Sequence, residues 1–363
     1  MQNEEITILA PSVLKIRDTI NIYIPDSIPN PFSRSNLNWN ANDDFLGFVG
    51  DPKNDELPIH VYDFNKENWF NIPMKAEGPN QVYGLGTFSF NTDSTLYYFP
   101  SVVQKSFKAN FQGKVIDAGE FSIKFGHGIN NTVFNPQIMQ DGTKIGFLSM
   151  QFLDMDVIKN YELAKLFTIY DFKTKESNHI INFPKEFLGR VWSMNDQSMT
   201  SLFENNKIII NFSKSHFLYV YNTSGDLERK INVKVKGVGN AKPLENGSAG
   251  AINDMLKTYA TGKYSSLIYD KWRKVYYRVG KYYDINNFAP KNIKELNSMR
   301  HKQVYVIVVL NESLEVIGTD YFNQSEININ DSNYFINENG LYLHLSNYDD
   351  ENMLSYVRMD LKK

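Results

Sequence analysis

Apolar residues recur along this chain in short runs, separated by clusters of Asn, Asp, Ser and Gly. Residues 86–121 show the pattern most plainly. In 87–91, Phe88 and Phe90 fall on one face. A polar turn, Asn91-Thr92-Asp93-Ser94, leads into 95–99, and Pro100-Ser101 interrupts before 102–109. A second polar turn at 110–113 precedes 114–118. Runs of this length between Asn/Asp/Ser/Gly clusters are the signature of strands joined by tight turns. The stretch is read as a four-stranded antiparallel unit.

The second half of that unit recurs. HVYDFNKENWFNIP, FTIYDFKTKESNHIINFP, LYVYNTSGDLERKINV and IVVLNESLEVIGTDYF each give an apolar strand, a polar turn of about four residues and a second strand. Six units can be counted. The sixth stops after its third strand, in YVRMDLKK, while the N-terminal run at about 19–25, within DTINIYIP, has the pattern of a missing fourth strand. Isolated four-stranded sheets leave apolar faces and open ends. Pairing the first strand with the last unit closes the array and removes those ends. The predicted fold is therefore all-β: one six-bladed β-propeller over residues 1–363, closed by the N-terminal strand. A large β-sandwich or two smaller β domains is the alternative.

In a propeller, the connection from strand two to strand three and the connection between blades emerge on one face. The other two turns emerge opposite. The long segments here are 25–44, 73–86, 121–132, 151–165, 184–198, 234–263, 281–301 and 322–332, and all are of the first kind. A short helix is expected in 151–165 and another near 249–259, where Ile252, Met255, Leu256 and Tyr259 share a face. Binding residues favour loops on a rigid scaffold, so the loop-rich face is where function is expected.

Composition narrows the options. Apolar residues make up 42% and aromatic residues 14%, enough for a large core. The net charge of −3, with signs interspersed, argues against a nucleic-acid partner. With no cysteine, disulfides, thiolate metal sites and cysteine nucleophiles are excluded. The first residues, MQNEEITILA, lack the charged and apolar regions of a signal peptide. No run approaches the roughly 18 apolar residues of a membrane helix, so the chain is expected to be soluble as given.

The blade pattern, with Glu77-Gly78-Pro79 before a first strand, Gly113-Lys114-Val115-Ile116 after a third, and Tyr269-Asp270 with Tyr276-Tyr277-Arg278 in the fifth unit, resembles a family of six-bladed, TolB-like propeller proteins. The resemblance implies an exported bacterial lipoprotein of the periplasm or outer surface. Family members usually begin with a leader and a lipid-modified cysteine. This sequence has neither, which the resemblance explains by a trimmed mature chain whose lipid anchor is gone. The family brings no catalytic residues.

The residues themselves offer few chemical motifs. The six histidines are widely spaced, with no HExxH. His127, between glycines on the loop-rich side, is the one candidate among them. Arg190 and Trp192 share a connection, and a guanidinium beside an indole suits a carboxylate, phosphate or sugar. An Arg capping a loop and a Trp wedged between blades is the structural alternative. Glu77 and Tyr83 precede an inner strand, where Glu77 either guides the turn or points at the channel. Arg278 lies in a second strand, where a bond to the neighbouring blade competes with a ligand role. No GxSxG, P-loop or dinucleotide fingerprint is present. The expected function is a non-catalytic binding or interaction propeller of the bacterial cell envelope, with a protein, peptide or glycan captured on the loop-rich face through Glu77, Tyr83, His127, Arg190, Trp192 and Arg278. No cofactor is expected. The alternative is a calcium-assisted hydrolase or lyase in the central channel, drawing oxygen ligands from connection residues such as Asp43, Asp44, Glu77, Asn130, Asn131, Asp196 and Asp331.

Overall fold

The computed structural model describes residues 10–29, 39–42, 44–78, 81–82, 84–91, 94–100, 103, 105–120, 133–139, 142–149, 154, 156–193, 196–238, 243–244, 256, 261–285, 290–325, 327, 329–345 and 352–362. It contains six four-stranded antiparallel sheets. Blade 1 is β2 (Trp39–Ala41), β3 (Phe45–Val49), β4 (Glu56–Asp63) and β5 (Asn68–Lys75). Blade 2 is β6 (Gly86–Phe90), β7 (Thr95–Pro100), β8 (Lys105–Asn110) and β9 (Val115–Glu120). Blade 3 is β10 (Val133–Met139), β11 (Lys144–Ser149), β12 (Phe167–Asp171) and β13 (Glu176–Ile180). Blade 4 is β14 (Met199–Glu204), β15 (Lys207–Phe212), β16 (Phe217–Asn222) and β17 (Leu227–Asn232). Blade 5 is β18 (Lys263–Asp270), β19 (Val275–Tyr283), β20 (Gln303–Asn311) and β21 (Val316–Asn323). Blade 6 joins β22 (Ile329–Asn337), β23 (Gly340–Leu345) and β24 (Met353–Leu361) to β1 (Leu14–Tyr23). The inner strands neighbour one another in a closed circuit, β2–β6–β10–β14–β18–β22–β2, so the fold is a six-bladed propeller. Apolar side chains fill the layers between blades, as where Ile208 and Ile210 of blade 4 meet Phe167 of blade 3.

The polar turns after each third strand follow from side-chain chemistry, and they come in two kinds. Where the strand ends in Asp, the carboxylate accepts from the amides two and three residues on: Asp63 from Asn65 and Lys66, Asp171 from Lys173 and Thr174. The residue four on then takes positive φ, Glu67 at 52° and Lys175 at 62°. Asp270, in a first-to-second turn, repeats this with Trp272, Arg273 and Lys274 at 55°. Where the strand ends in Asn, the side chain accepts from the amides two and four on, as in Asn110, Asn222 and Asn311. Positive φ then falls three residues on, at Gly113, Gly225 and Leu314, and the ladder shifts register in each of these three hairpins. That pairing of a left-handed residue with a bulge is the expected solution for a short hairpin loop of this kind. Asx side chains that mimic a backbone turn are what the repeated polar motif encoded.

Closure is at blade 6, as expected, but β1 starts earlier than the predicted 19–25. Leu14 opposes Leu361 and Tyr23 opposes Met353. A register shift between Ile16 and Thr19 breaks the alternation and leaves Lys15, Arg17 and Asp18 exposed, which hides the strand's first half from a pattern reading. The closure also extends beyond the sheet. Asp320 of blade 5 accepts from Ser12 Oγ and from the amides of Val13 and Leu14, at 3.0 and 2.9 Å. Gly318 lies under this segment, where a Cβ would sit 2.0 Å from Val13 Cγ2. Similarly, the third strand of blade 2 begins at Lys105, later than the expected 102.

Connections on one face are short: 42–44, 91–94, 140–143, 205–206, 271–274 and 338–339 between first and second strands, and 64–67, 111–114, 172–175, 223–226 and 312–315 between third and fourth. The long segments lie on the opposite face, including 150–166, 181–198, 233–262 and 284–302. Segment 150–166 contains α1 (Lys159–Leu163) and 284–302 contains α2 (Ile293–Ser298). Asn292 caps α2 by accepting from the Glu295 amide, and Glu295 accepts from the Lys291 amide. Of the helix expected near 249–259, only Leu256 is among the described residues; it is helical and buried.

Candidate functional site

Beneath the loop-rich face, three connections converge on one polar cluster between blades 3, 4 and 5. The first contributes Tyr161, in α1. It is fully buried, and its hydroxyl accepts from the Trp192 amide and from Gln197 Nε2, both at 3.0 Å. The second, 181–198, is folded around its own aromatics. Phe187 and Trp192 pack with ring centroids 5.0 Å apart, and the indole Nε1 donates to the Phe187 carbonyl at 2.8 Å. Gln197 Nε2 also donates to the Trp192 carbonyl at 2.9 Å. Tyr161 thus fastens the inserted helix to the neighbouring inter-blade loop through groups that would otherwise be buried without partners.

The same loop presents Asp196, which is 4% exposed. Its carboxylate has no hydrogen-bond or ion-pair partner among the described residues. Burial pushes it up from 3.8 to about 6, partly offset by the positive charge of Lys214. Lys214 lies in the turn 213–216 between β15 and β16 and is 2% exposed. Its ammonium donates to Thr261 Oγ1 at 2.7 Å and to the Gly262 carbonyl, at the end of the third connection. Burial pulls Lys214 down from 10.5 to about 8, with Asp196 opposing the shift and Lys263 adding to it. A buried acid and base that both titrate close to neutrality mark a place where charge is held against its solvation preference. Ser193, three residues before Asp196, is also fully buried, and its hydroxyl has no partner among the described residues.

Behind this cluster, Arg278 crosses from β19 to blade 4. It is fully buried. Nε donates to Asn211 Oδ1 at 2.9 Å, Nη2 to the Ser215 carbonyl at 2.6 Å, and Nη1 to the carbonyls of His216 and Val233 at 3.1 Å. The guanidinium carbon lies 3.4 Å from the centre of the Tyr264 ring. Burial lowers its pKa from 12.5 to about 10, so the group stays charged at neutral pH. The planar five-donor fork is what allows one side chain to serve four acceptors and stack at once.

The candidates from sequence are placed as follows. Arg278 ties blades 4 and 5 together, the structural role that its position in a second strand allowed. Trp192 is buried while Arg190 is exposed, so the two are not presented together. Glu77 is exposed beside Gly78. Tyr83 and His127 lie outside the described residues. Asp196, read only as one connection carboxylate among several, proves central, and the neighbouring charge of Lys214 and the Tyr161 of the same cluster carried no motif. A lysine inside the short, otherwise small-residue turn Ser213-Lys214-Ser215 was the available signal. Among the described residues, no group of three or more His, Asp or Glu side chains is placed to hold a metal ion, and no helix is long and apolar enough to cross a membrane.

The family model described as "Domain of unknown function (DUF4221)" matches residues 12–321, and the chain belongs to that family. A solved structure of a DUF4221 family member from Bacteroides vulgatus is 18% identical, with 97% of this chain and 99% of that chain covered and a TM-score of 0.75. A protein from Bacteroides fragilis thought to be exported is 11% identical, with 96% of each chain covered and a TM-score of 0.59. At these identities the likeness concerns the fold. No curated protein is similar enough in sequence to register as a relative.

Proposed function

We propose that this DUF4221 propeller is a non-catalytic binding module of the bacterial cell envelope, which captures a partner protein, peptide or glycan on its loop-rich face. The observation that carries the reading is the one-sided distribution of connections: first-to-second and third-to-fourth connections have at most four residues, whereas the long segments all emerge on the other face, alongside the short turns 101–104, 213–216 and 324–328. A scaffold under no functional demand would vary its loops on both faces. Exposed apolar residues are available on that face at Leu85, Val157, Ile158, Leu163 and Ile293, while Ile116, Leu227, Trp272 and Ile317 lie in or next to short turns. The neighbouring Val157, Ile158 and Leu163 of one inserted segment suit a partner surface. Tyr161 and Lys214 supply rigidity, since each joins a loop of this face to its neighbour or to a blade. A Bacteroides protein of the same fold that is thought to be exported agrees with an envelope location.

The test is affinity capture from native envelope extract with three proteins: wild type, a Val157→Asp/Leu163→Asp/Ile293→Asp variant, and Trp272→Asp. The reading expects a partner retained by wild type and Trp272→Asp and lost by the triple variant. Equal retention by the triple variant, with Trp272→Asp losing the partner, would overturn it.

A further inference from the structure

On the opposite side, blades 3 and 4 meet through a close backbone contact. Gly225, in the turn 223–226 with φ of 89°, approaches Ile180 so closely that a Cβ would lie 2.8 Å from the Ile180 Cβ. Beside this contact a groove of about 760 Å³ opens, inside the roughly 300–1,000 Å³ range of small-molecule sites. Its apolar lining comes from Met139 and Ile169. Around these stand Thr174, Glu176, Ser177 and Asn178 of blade 3 and Thr223 of blade 4.

None of those five side chains makes a hydrogen bond or ion pair among the described residues. They amount to three hydroxyls, an amide and a carboxylate, all uncommitted and gathered on one concave surface. The groove's cation, Lys144, is already matched by Asp171 at 3.4 Å. Among the described residues no spare positive charge remains in the lining for a phosphate or carboxylate ligand. No aromatic residue lines the groove among the described residues for a nucleobase to stack on, and two apolar side chains are too little for a lipid. A hydroxyl-rich ligand fits what is left, because each of its groups both donates and accepts, matching the hydroxyls and the amide of the lining while donating to the Glu176 carboxylate.

We propose that this groove binds a neutral polyhydroxylated ligand, a short oligosaccharide segment, independently of the loop-rich face. The ligand would direct its hydroxyls to Asn178, Glu176 and the three hydroxyl side chains, over a floor in which Met139 and Ile169 are themselves buried.

Titration calorimetry of the full chain with maltotriose, cellotriose, mannotriose and xylotriose tests this. At least one probe should bind saturably, and Asn178→Ala and Glu176→Gln should each weaken it by about tenfold, the worth of one hydrogen bond to a ligand. Both residues are exposed, so the thermal transition should stay unchanged and confirm that the fold is intact. Failure of all four probes to bind at about 10 mM, well past the weakest useful affinities, would overturn the proposal. So would binding that survives both substitutions, which would put the sugar elsewhere, or displacement of the sugar by inorganic phosphate.

Discussion

Replacing Asp196 by Asn should change how the stability of this propeller depends on pH. The carboxyl has a folded-state pKa of about 6 against its ordinary 3.8 because it is buried. The folded chain therefore holds this proton more tightly than the unfolded chain. The stability so gained is fully present below pH 3.8 and is lost as pH rises through 6. The full span is worth about 3 kcal/mol. Integrated between pH 4 and pH 7, the loss is roughly 2 kcal/mol, equivalent to a urea midpoint lower by roughly 0.5–1 M. A carboxamide at this position cannot titrate, so the Asp196→Asn profile should lack this fall. The assay is urea unfolding of both proteins at half-unit pH steps, followed by tryptophan fluorescence. Wild type should lose stability relative to the variant across pH 4–6, with the difference levelling off by pH 7. Lys214 gives a second limb. Its pKa is lowered to about 8 from 10.5, so its contribution is present above 10.5 and lost as pH falls through 8. Parallel wild-type and Asp196→Asn profiles between pH 4 and 7 would refute the argument that burial holds this carboxyl out of its usual range.

Three further outcomes follow from packing. Asp320→Ala removes the acceptor of Ser12, Val13 and Leu14, and should cost about 3–5 kcal/mol by loosening closure, read as a lower urea midpoint and faster proteolysis at the N-terminus. Arg278→Met strands the Asn211 oxygen and the Ser215 carbonyl and takes one of two donors from the carbonyls of His216 and Val233, and should cost about 3–5 kcal/mol, with Arg278→Lys rescuing only part because an ammonium cannot span the four acceptors. Gly78→Ala and Gly225→Ala share a φ of 89°, and each should lose about 1–2 kcal/mol for a left-handed alanine, but only Gly225 meets a neighbour, so its thermal transition should fall further.

The architecture was legible because it is written locally and repeatedly. A strand ending in Asp63, Asn110, Asp171, Asn222 or Asn311 carries its own turn instruction in its side chain, and the same instruction recurs in five blades. Closure was legible because a unit one strand short at the C-terminus had a spare strand at the N-terminus. The start of β1 was not, since its bulge puts charged residues where alternation would be sought. The polar cluster was illegible for a different reason. Tyr161, Asp196 and Lys214 come from three connections with no fixed spacing, and only the packing of blades 3 to 5 brings them together. Arg278 was half legible: a charge amid Val275-Tyr276-Tyr277 and Val279 demands a buried partner, but nothing in the strand says that the partner is a row of carbonyls in the next blade.

The measurement that bears most directly on the binding account is site-specific photo-crosslinking in intact cells. A photoreactive residue would replace Leu85, Val157, Leu163 or Ile293 on the loop-rich face, and Asn65 or Trp272 on the short-turn face. The account predicts partner adducts from the first four positions and none from the last two. Adducts from Asn65 or Trp272, with none from the loop-rich positions, would contradict it.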